Sequence, residues 1–197
     1  MQLDENQHNA EADNLRFDPS SIRNVMSEGA LDGLEVYENY EKEYGHQILK
    51  LTDDRDRPLK YTINKTMLRI ELPDPLEEGD EFVFKVDWKY NLVDKDNPKI
   101  RNARGGYEYF EDQDEYIFTI VQWFPRMCVF SDVEGWQNKQ FTGRGEFTLP
   151  FGNYVVKMTV PEDYMVGSTG ECLNYDDVLT ETQLERYERA KKVDEPL

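Results

Sequence analysis

The chain has 197 residues with 38% hydrophobic and 13% aromatic content, and its 41 acidic against 23 basic side chains give a formal net charge of −18. This length allows one sizeable core. The negative charge repels phosphate backbones and anionic lipid surfaces, so the composition argues against nucleic acid and membranes as partners. No stretch is apolar enough to span a bilayer, and the opening residues MQLDENQHNA lack the pattern of a signal peptide.

Short strands separated by turn signals dominate the first half of the chain. GHQILKLTDDRDRPLKYTI predicts two strands around an acidic loop at residues 53–57, and MLRIEL alternates apolar with charged residues. In EFVFKVDWKY one face carries apolar side chains and the other is mostly charged; the apolar face consists of Phe82, Phe84, Val86 and Trp88. This period of two is typical of a half-buried antiparallel strand.

The second half of the chain continues the strand pattern. EYIFTIVQWF is apolar on both faces, which predicts a central strand covered on both sides. GRGEFTLPFG and NYVVKMTVP are expected to pair as a hairpin, and DYMVGSTGECLN predicts one further short strand. Near the polar start of the chain, DPSSIRNVM predicts a turn into a short helix or an ordered loop.

The C-terminal tail differs from the rest of the chain. VLTETQLERYERAKKVDEPL carries a capping box, in which Thr180 is followed by Gln183, and then a narrow apolar stripe, so it predicts a helix. Together the patterns predict an all-β fold, an antiparallel β-sandwich with a short C-terminal helix. The predicted domains are a β-sandwich over residues 1–176 and a helix and tail over residues 177–197.

The motifs of common catalytic sites are missing from the sequence. The chain has no H-E-x-x-H zinc motif and no G-x-S-x-G nucleophile elbow. His8 and His46 lie in separate polar segments, where surface histidines are far commoner than metal ligands. Cys128 and Cys172 form no C-x-x-C pair; they could form one disulfide, but their apolar surroundings favour two buried free thiols. No catalytic residue and no metal ligand is predicted, which favours a domain that supports, positions or binds.

An ordered series of segments resembles one family of enzymes. Residues 118–174, FTIVQWFPRMCVFSDVEGWQNKQFTGRGEFTLPFGNYVVKMTVPEDYMVGSTGECLN, are similar to the N-terminal β-domain of aminopeptidase N-like zinc metallopeptidases, the gluzincins, and to a bacterial branch in particular. LDENQH, PLEEGDEFVFKVDW and VLTETQLERYERAKK extend the resemblance over most of the chain. It implies a saddle-like β-structure that packs on a thermolysin-like catalytic domain.

The resemblance implies that catalysis and part of the substrate binding are divided between two domains of a peptide hydrolase. The zinc and its ligands would lie in the catalytic domain, so no cofactor is expected in this chain, and the chain alone is expected to be inactive. The parent protein would be exported or part of the cell envelope of a bacterium. The N-terminal domain would lend a glutamine that helps to hold the free amino end of the peptide substrate.

The position that matches this glutamine is Gln122, followed by Pro125 as in the family's Q-x-x-P pattern. The sequence then departs from the family, because RMCVFSDVEGW replaces the usual AR--FPC-D-P. From the residues alone, Gln122 is either this substrate contact or a buried amide satisfied by neighbouring backbone groups. Arg126 is expected to pair with a carboxylate rather than to touch substrate.

The aromatic residues near Gln122 leave a second interpretation of the chain open. They are expected in the core, where each contributes a few kcal/mol through burial; the residues are Trp123, Phe124, Phe130 and Trp136. If they were exposed instead, they would suit a stand-alone β-sandwich module that binds carbohydrate or protein. This module is the alternative to the metallopeptidase domain.

The resemblance also implies further strands beyond both ends of these residues, since family members begin before LDENQH and continue past KKVDEPL. A missing partner strand leaves unpaired backbone groups along a sheet edge. We therefore expect the isolated chain to self-associate. Size-exclusion chromatography across a concentration series checks this expectation, and a monomer at every concentration contradicts it.

Overall fold

Antiparallel strands dominate the computed structural model, which describes residues 1–8, 44–97, 103–141 and 150–193. Within these residues the strands form four two-stranded ladders, accompanied by only two α-helices and one 3-10 helix. The predicted β-rich class is therefore confirmed. In chain order the elements are the 3-10 helix Asp4–His8, strands β1 (Gln47–Asp53), β2 (Lys60–Asn64), β3 (Met67–Glu71), β4 (Phe84–Lys89), β5 (Gly106–Phe110), β6 (Glu115–Thr119), β7 (Phe130–Ser131) and β8 (Gly135–Trp136), and helices α1 (Tyr175–Val178) and α2 (Glu181–Ala190).

The ladder of β1 and β4 follows the clearest pattern in the sequence. In β4, half-buried Phe84, Val86 and Trp88 alternate with exposed charged residues, as a period of two predicts. The strands run antiparallel, with buried Leu51 of β1 opposite Val86 and with Ile48 opposite Trp88. This register places the Trp88 side chain on the half-buried face, near the start of β1.

A tight acidic turn connects β1 to β2. The Oδ1 atom of Asp53 accepts hydrogen bonds from the backbone N–H groups of Arg55 and Arg57, at 3.0 and 2.9 Å. Its Oδ2 atom accepts from Nε of Arg57 at 2.6 Å. The two predicted strands around an acidic loop are confirmed, and residues 57–59 hydrogen-bond to the end of β1 before β2 begins. The ladder partner of β1 is β4, and β2 pairs with β3.

The hairpin of β5 and β6 corrects the prediction of a doubly covered central strand. Among the described residues β6 pairs with β5 alone, and Ile117 is 53% exposed. Tyr107 lies opposite Phe118, and Tyr109 lies opposite Tyr116, with the latter two ring centroids 4.8 Å apart. Cross-strand aromatic pairs of this kind stabilise a hairpin. Part of the apolar run that predicts burial therefore makes ring contacts within the hairpin, along one of its faces.

The short hairpin of β7 and β8 exposes two of the aromatic residues predicted for the core. Phe130 is 61% and Trp136 is 58% exposed, and their rings meet edge to face at 5.3 Å. Each strand is only two residues long, too short to place a second layer over these rings. The core prediction is wrong for this pair, whereas Trp123 and Phe124 are half-buried.

The sequence from residue 150 to residue 174 lacks the strands predicted for it. No strand is assigned in this described range, and the side chains of NYVVKMTV are exposed. Because strands are stabilised by the pairs they make across a ladder, alternation alone does not create one. Most of the predicted partner strand falls on residues 142–149, and DPSSIRNVM falls on residues 18–26; both lie outside the described residues.

The chain divides into two compact units, Met1–Gly152 and Asn153–Leu197. The second unit contains α1 and α2, and the predicted capping box is present at the start of α2. The backbone N–H of Gln183 donates to Oγ1 of Thr180 at 3.3 Å, and the backbone N–H of Thr180 donates to Oε1 of Gln183 at 2.9 Å. The predicted terminal helix is confirmed, while the domain division after residue 176 stays a prediction.

Replacing Thr180 with alanine is expected to destabilise α2 by about 1 kcal/mol, because an orphan N–H group at the helix start loses its acceptor. Circular dichroism of the chain at 222 nm during thermal unfolding measures the loss of helix. Thr182→Ala in the first turn of the same helix is the control, and it should preserve helicity because alanine favours helix more than threonine does. Equal losses in the two variants would refute a capping role.

Few apolar side chains are buried among the described residues of the first unit. They are Leu3, Tyr44, Leu51, Leu59, Leu68, Val93 and Phe141. No helix in the described part of the chain is long and apolar enough to cross a membrane.

Both cysteines are free but only partly buried, so the prediction of free thiols is right and that of full burial is wrong.

Candidate functional site

The first eight residues of the chain, which we call the N-terminal segment, are largely buried although most are polar. The buried polar residues are Gln2, Asp4, Glu5, Asn6, Gln7 and His8. The composition of LDENQH is that of a solvated surface, so this burial was missed from the sequence. His46 is buried as well, which corrects the expectation of two surface histidines. Buried polar groups require partners, and those partners define the site.

Backbone hydrogen bonds join the N-terminal segment to two other parts of the chain. The N–H of Gln2 donates to the carbonyl of Arg126 at 2.6 Å, and the N–H of Arg126 donates back to the carbonyl of Gln2 at 2.9 Å. On the other side, the N–H of Leu3 donates to the carbonyl of Thr66 at 2.8 Å, just before β3. Residues 1–3 of the N-terminal segment therefore bridge β3 and residues 122–126, which we call the Gln122 segment.

A buried ion pair strengthens this connection. The guanidinium of Arg126 contacts the carboxylate of Asp4, and the two side chains are 9% and 0% exposed. The prediction that Arg126 pairs with a carboxylate is confirmed. Two charges removed from water attract strongly at close range, and the loss of either one leaves the other in a medium of low polarity. The pair therefore fixes the end of the Gln122 segment.

Asn6 connects the N-terminal segment to the start of β1. Its Oδ1 atom accepts a hydrogen bond from the backbone N–H of His46 at 2.7 Å, and its Nδ2 atom donates to the carbonyl of Lys65 at 2.7 Å. Gly45 has a φ of 94°, and a Cβ atom there would lie 2.8 Å from Oδ1 of Asn6. Only glycine allows both this backbone conformation and this approach. His46 is thereby held beside the Gln122 segment.

The carbonyl of Trp123 accepts two hydrogen bonds from side chains. The indole Nε1–H of Trp88 donates to it at 3.0 Å, and Nε2 of His46 lies 3.0 Å from the same oxygen. Because a carbonyl oxygen only accepts, Nε2 of His46 carries the proton. The rings of Trp88 and Trp123 are stacked with centroids 6.0 Å apart. These contacts fix the residue that follows Gln122.

Gln122 itself combines two unfavourable features. Its φ of 52° lies in the left-handed region, which non-glycine residues rarely adopt. Its Oε1 atom is buried and has no hydrogen-bond partner among the described residues. The expectation of an amide satisfied by neighbouring backbone groups is therefore wrong for this oxygen. Gln122 thus presents an acceptor whose hydrogen-bonding capacity the described chain does not use.

Burial shifts the acidity of several groups in the N-terminal segment and next to it. Burial and the neighbouring Asp4 carboxylate raise the pKa of Glu5 from 4.5 to about 7. Burial alone lowers the pKa of His8 from 6.5 to about 4. Burial also lowers the pKa of His46, and its hydrogen bond to the Trp123 carbonyl opposes that shift only in part. Both histidines are therefore neutral near pH 7.

The side chains of the described residues do not fit a zinc site. They include no cluster of three or more histidine, cysteine, aspartate or glutamate side chains that could hold a metal ion. His46 uses Nε2 for the Trp123 carbonyl, and its other ring nitrogen is buried. Protein zinc sites need at least three such ligands around the ion. The described side chains therefore provide no ligand set for zinc.

A cavity of about 460 Å³ lies at the acidic turn after β1, and its lining includes Asp53, Arg57, Leu76 and Phe82. The carboxylate of Asp53 and the guanidinium of Arg57 are bonded to each other and to the turn. These two lining residues therefore stabilise the turn. Gln122 does not line this cavity.

No protein-family model, no curated protein and no solved structure matches this chain. The structure joins the Gln122 segment to three residues from distant parts of the chain: Asp4 contacts Arg126, and His46 and Trp88 donate to the Trp123 carbonyl. A role of Gln122 in binding substrate stays a prediction.

Proposed function

We propose that this chain is the non-catalytic N-terminal β-domain of a zinc aminopeptidase-like metallopeptidase. In this proposal it packs on the catalytic domain and lends Gln122 to the free amino end of a peptide. The supporting observation is the state of Gln122, with its left-handed backbone and its buried Oε1 atom that lacks a partner in the described residues. Strained backbone and unsatisfied polar groups concentrate at functional sites.

The chemistry of an amide oxygen suits this role. It accepts a hydrogen bond from the ammonium group of a peptide, and a hydrogen bond to a charged group contributes about 1.5–3 kcal/mol. In the isolated chain the oxygen is buried, so the side chain must rotate to reach a ligand. A buried acceptor without a partner costs about 1–3 kcal/mol. Rotation out of the buried position removes this cost, so the rotation requires less free energy. The net charge of −18 also attracts a cationic peptide end.

We infer that the ladders of the first unit belong to the saddle-like β-sandwich of that class of domain. In support, residues 1–3 hydrogen-bond to both the start of β3 and Arg126, so isolated backbone bridges join segments that are distant in sequence. Further support comes from the exposed apolar residues of the β5–β6 hairpin, since a catalytic domain packed on this chain would cover apolar surface.

A second function is favoured by one observation, the exposed edge-to-face pair of Phe130 and Trp136. Exposed aromatic rings offer flat apolar surfaces to a ligand, so we propose a carbohydrate-binding module as the alternative. Calorimetric titration of the chain with soluble oligosaccharides tests it. Binding that is lost in Trp136→Ala but kept in Gln122→Ala would favour the module over the peptidase domain.

The proposed function is tested by comparing the purified chain with the protein encoded by its complete reading frame. We expect the complete protein to contain an H-E-x-x-H motif and to hydrolyse aminoacyl p-nitroanilides with bound zinc. The 197-residue chain should show neither turnover nor stoichiometric zinc. Zinc-dependent turnover by the purified chain, or a complete protein that lacks the motif and the activity, would overturn the proposal.

A further inference from the structure

The strained backbone of Gln122 needs a cause, because a non-glycine residue in the left-handed region persists only where its surroundings hold it. Two sets of contacts follow Gln122 directly in the chain. The first is the pair of hydrogen bonds to the Trp123 carbonyl, and the second is the backbone pairing of Arg126 with Gln2. The first acts on the residue next to Gln122, so it controls the backbone of Gln122 most directly.

We propose that Trp88 and His46 are positioning residues for Gln122, which hold its backbone in the left-handed region through their two hydrogen bonds to the Trp123 carbonyl. This inference rests on the proposed function, since it assigns to these residues the placement of the substrate-binding amide. The two donors come from different parts of the β1–β4 ladder: Trp88 lies in β4, and His46 immediately precedes β1. The ladder therefore acts as the rigid support of the Gln122 segment.

The Trp123 carbonyl belongs to the peptide unit between Trp123 and Phe124, so its two donors fix Trp123, the residue to which the backbone of Gln122 is joined. If this carbonyl loses a donor, Trp123 is free to shift and Gln122 relaxes toward a negative φ, which moves its Cβ atom and amide. A hydrogen bond to a substrate ammonium requires the amide to be placed within a few tenths of an ångström. The positioning contacts therefore affect substrate binding without touching the substrate.

Trp88→Phe in the complete protein tests the inference, because phenylalanine keeps an aromatic ring beside Trp123 but, with the smaller ring, loses the indole N–H. We expect KM for an aminoacyl p-nitroanilide to rise about ten-fold while kcat changes by less than about two-fold. We also expect weaker discrimination between matched competitive inhibitors with and without an α-amino group. Because both changes act through one amide, Trp88→Phe combined with Gln122→Ala should raise KM no further than Gln122→Ala alone.

Two further comparisons keep the test specific. His46→Leu should raise KM, and His46→Gln, which retains an N–H donor, should restore most of the binding. Trp136→Phe, the same exchange at an exposed indole in β8, should leave KM unchanged. If Gln122→Ala raises KM but Trp88→Phe does not, the positioning role is wrong and the proposed function stands. If Gln122→Ala itself leaves KM unchanged, both are wrong.

Discussion

Replacing Arg126 with methionine is expected to destabilise the chain by about 3–5 kcal/mol, the cost of removing one member of a buried ion pair. Asp4 is fully buried, and without the guanidinium its charge stays in a medium of low polarity. Methionine retains much of the apolar volume of the arginine stem, so the loss reports mainly the charge. Urea unfolding followed by tryptophan fluorescence measures the free energy of unfolding.

A matched control and a double variant test whether the loss of stability comes from the buried charge. Lys191→Met removes the cation of an exposed pair with Glu188 and should change stability by less than about 1 kcal/mol. The double variant Asp4→Leu with Arg126→Met removes both buried charges, and we expect it to recover a large part of the loss. If Arg126→Met unfolds at the same urea concentration as the wild type, the pair does not anchor the Gln122 segment.

Glu5→Gln is expected to change how the stability of the chain depends on pH. The pKa of Glu5 is raised from 4.5 in the unfolded chain to about 7 in the folded chain, because the buried side chain and nearby Asp4 disfavour its charge. The folded state therefore favours protonated Glu5. Its contribution to stability is complete below the unfolded pKa and is lost as the pH rises through the folded pKa. The loss amounts to about 3 kcal/mol.

The neutral amide that Glu5→Gln introduces resembles the protonated acid and does not titrate. The free energy of unfolding of Glu5→Gln relative to the wild type should therefore rise by about 3 kcal/mol between about pH 4 and pH 8. Unfolding in urea at a series of pH values measures this difference. A constant difference across the series would show that Glu5 is not held in a buried, proton-favouring environment.

His8 makes the stability of the chain depend on pH in the opposite direction from Glu5, which allows the two effects to be compared in one protein. Its pKa is lowered by burial to about 4, so its contribution is complete above the unfolded value of 6.5 and is lost as the pH falls through the folded pKa. Where the two pH windows overlap, the proton gained by Glu5 on folding balances the proton lost by His8. Removing only one of the two side chains should therefore expose the pH dependence of the other.

The sequence predicted the parts of the fold that depend on local pattern. The alternation in EFVFKVDWKY predicted the half-buried face of β4, and the spacing of Thr180 and Gln183 predicted the start of α2. Both signals lie within a few residues, where backbone geometry alone relates pattern to structure. The partner of Arg126 was predicted only as a carboxylate, because many acidic residues are available in so acidic a chain.

The remaining features depend on contacts between distant residues. LDENQH is polar and gave no sign of burial, yet Asp4 pairs with Arg126 and Asn6 contacts Lys65. The apolar run of β6 predicted a central strand, but strand order depends on pairing partners that periodicity does not specify. The residue type of Gln122 likewise gave no signal for its left-handed conformation, which we attribute to hydrogen bonds that distant residues make to its neighbour.

The binding of the substrate's amino end by Gln122 is tested most directly by steady-state kinetics of the complete protein. We expect Gln122→Ala to raise KM for an aminoacyl p-nitroanilide by about ten-fold to a hundred-fold, the loss of one hydrogen bond to an ammonium group, with little change in kcat. Gln113→Ala, in the exposed turn between β5 and β6, should leave both constants unchanged. An unchanged KM in Gln122→Ala would contradict the proposed role of this domain in substrate binding.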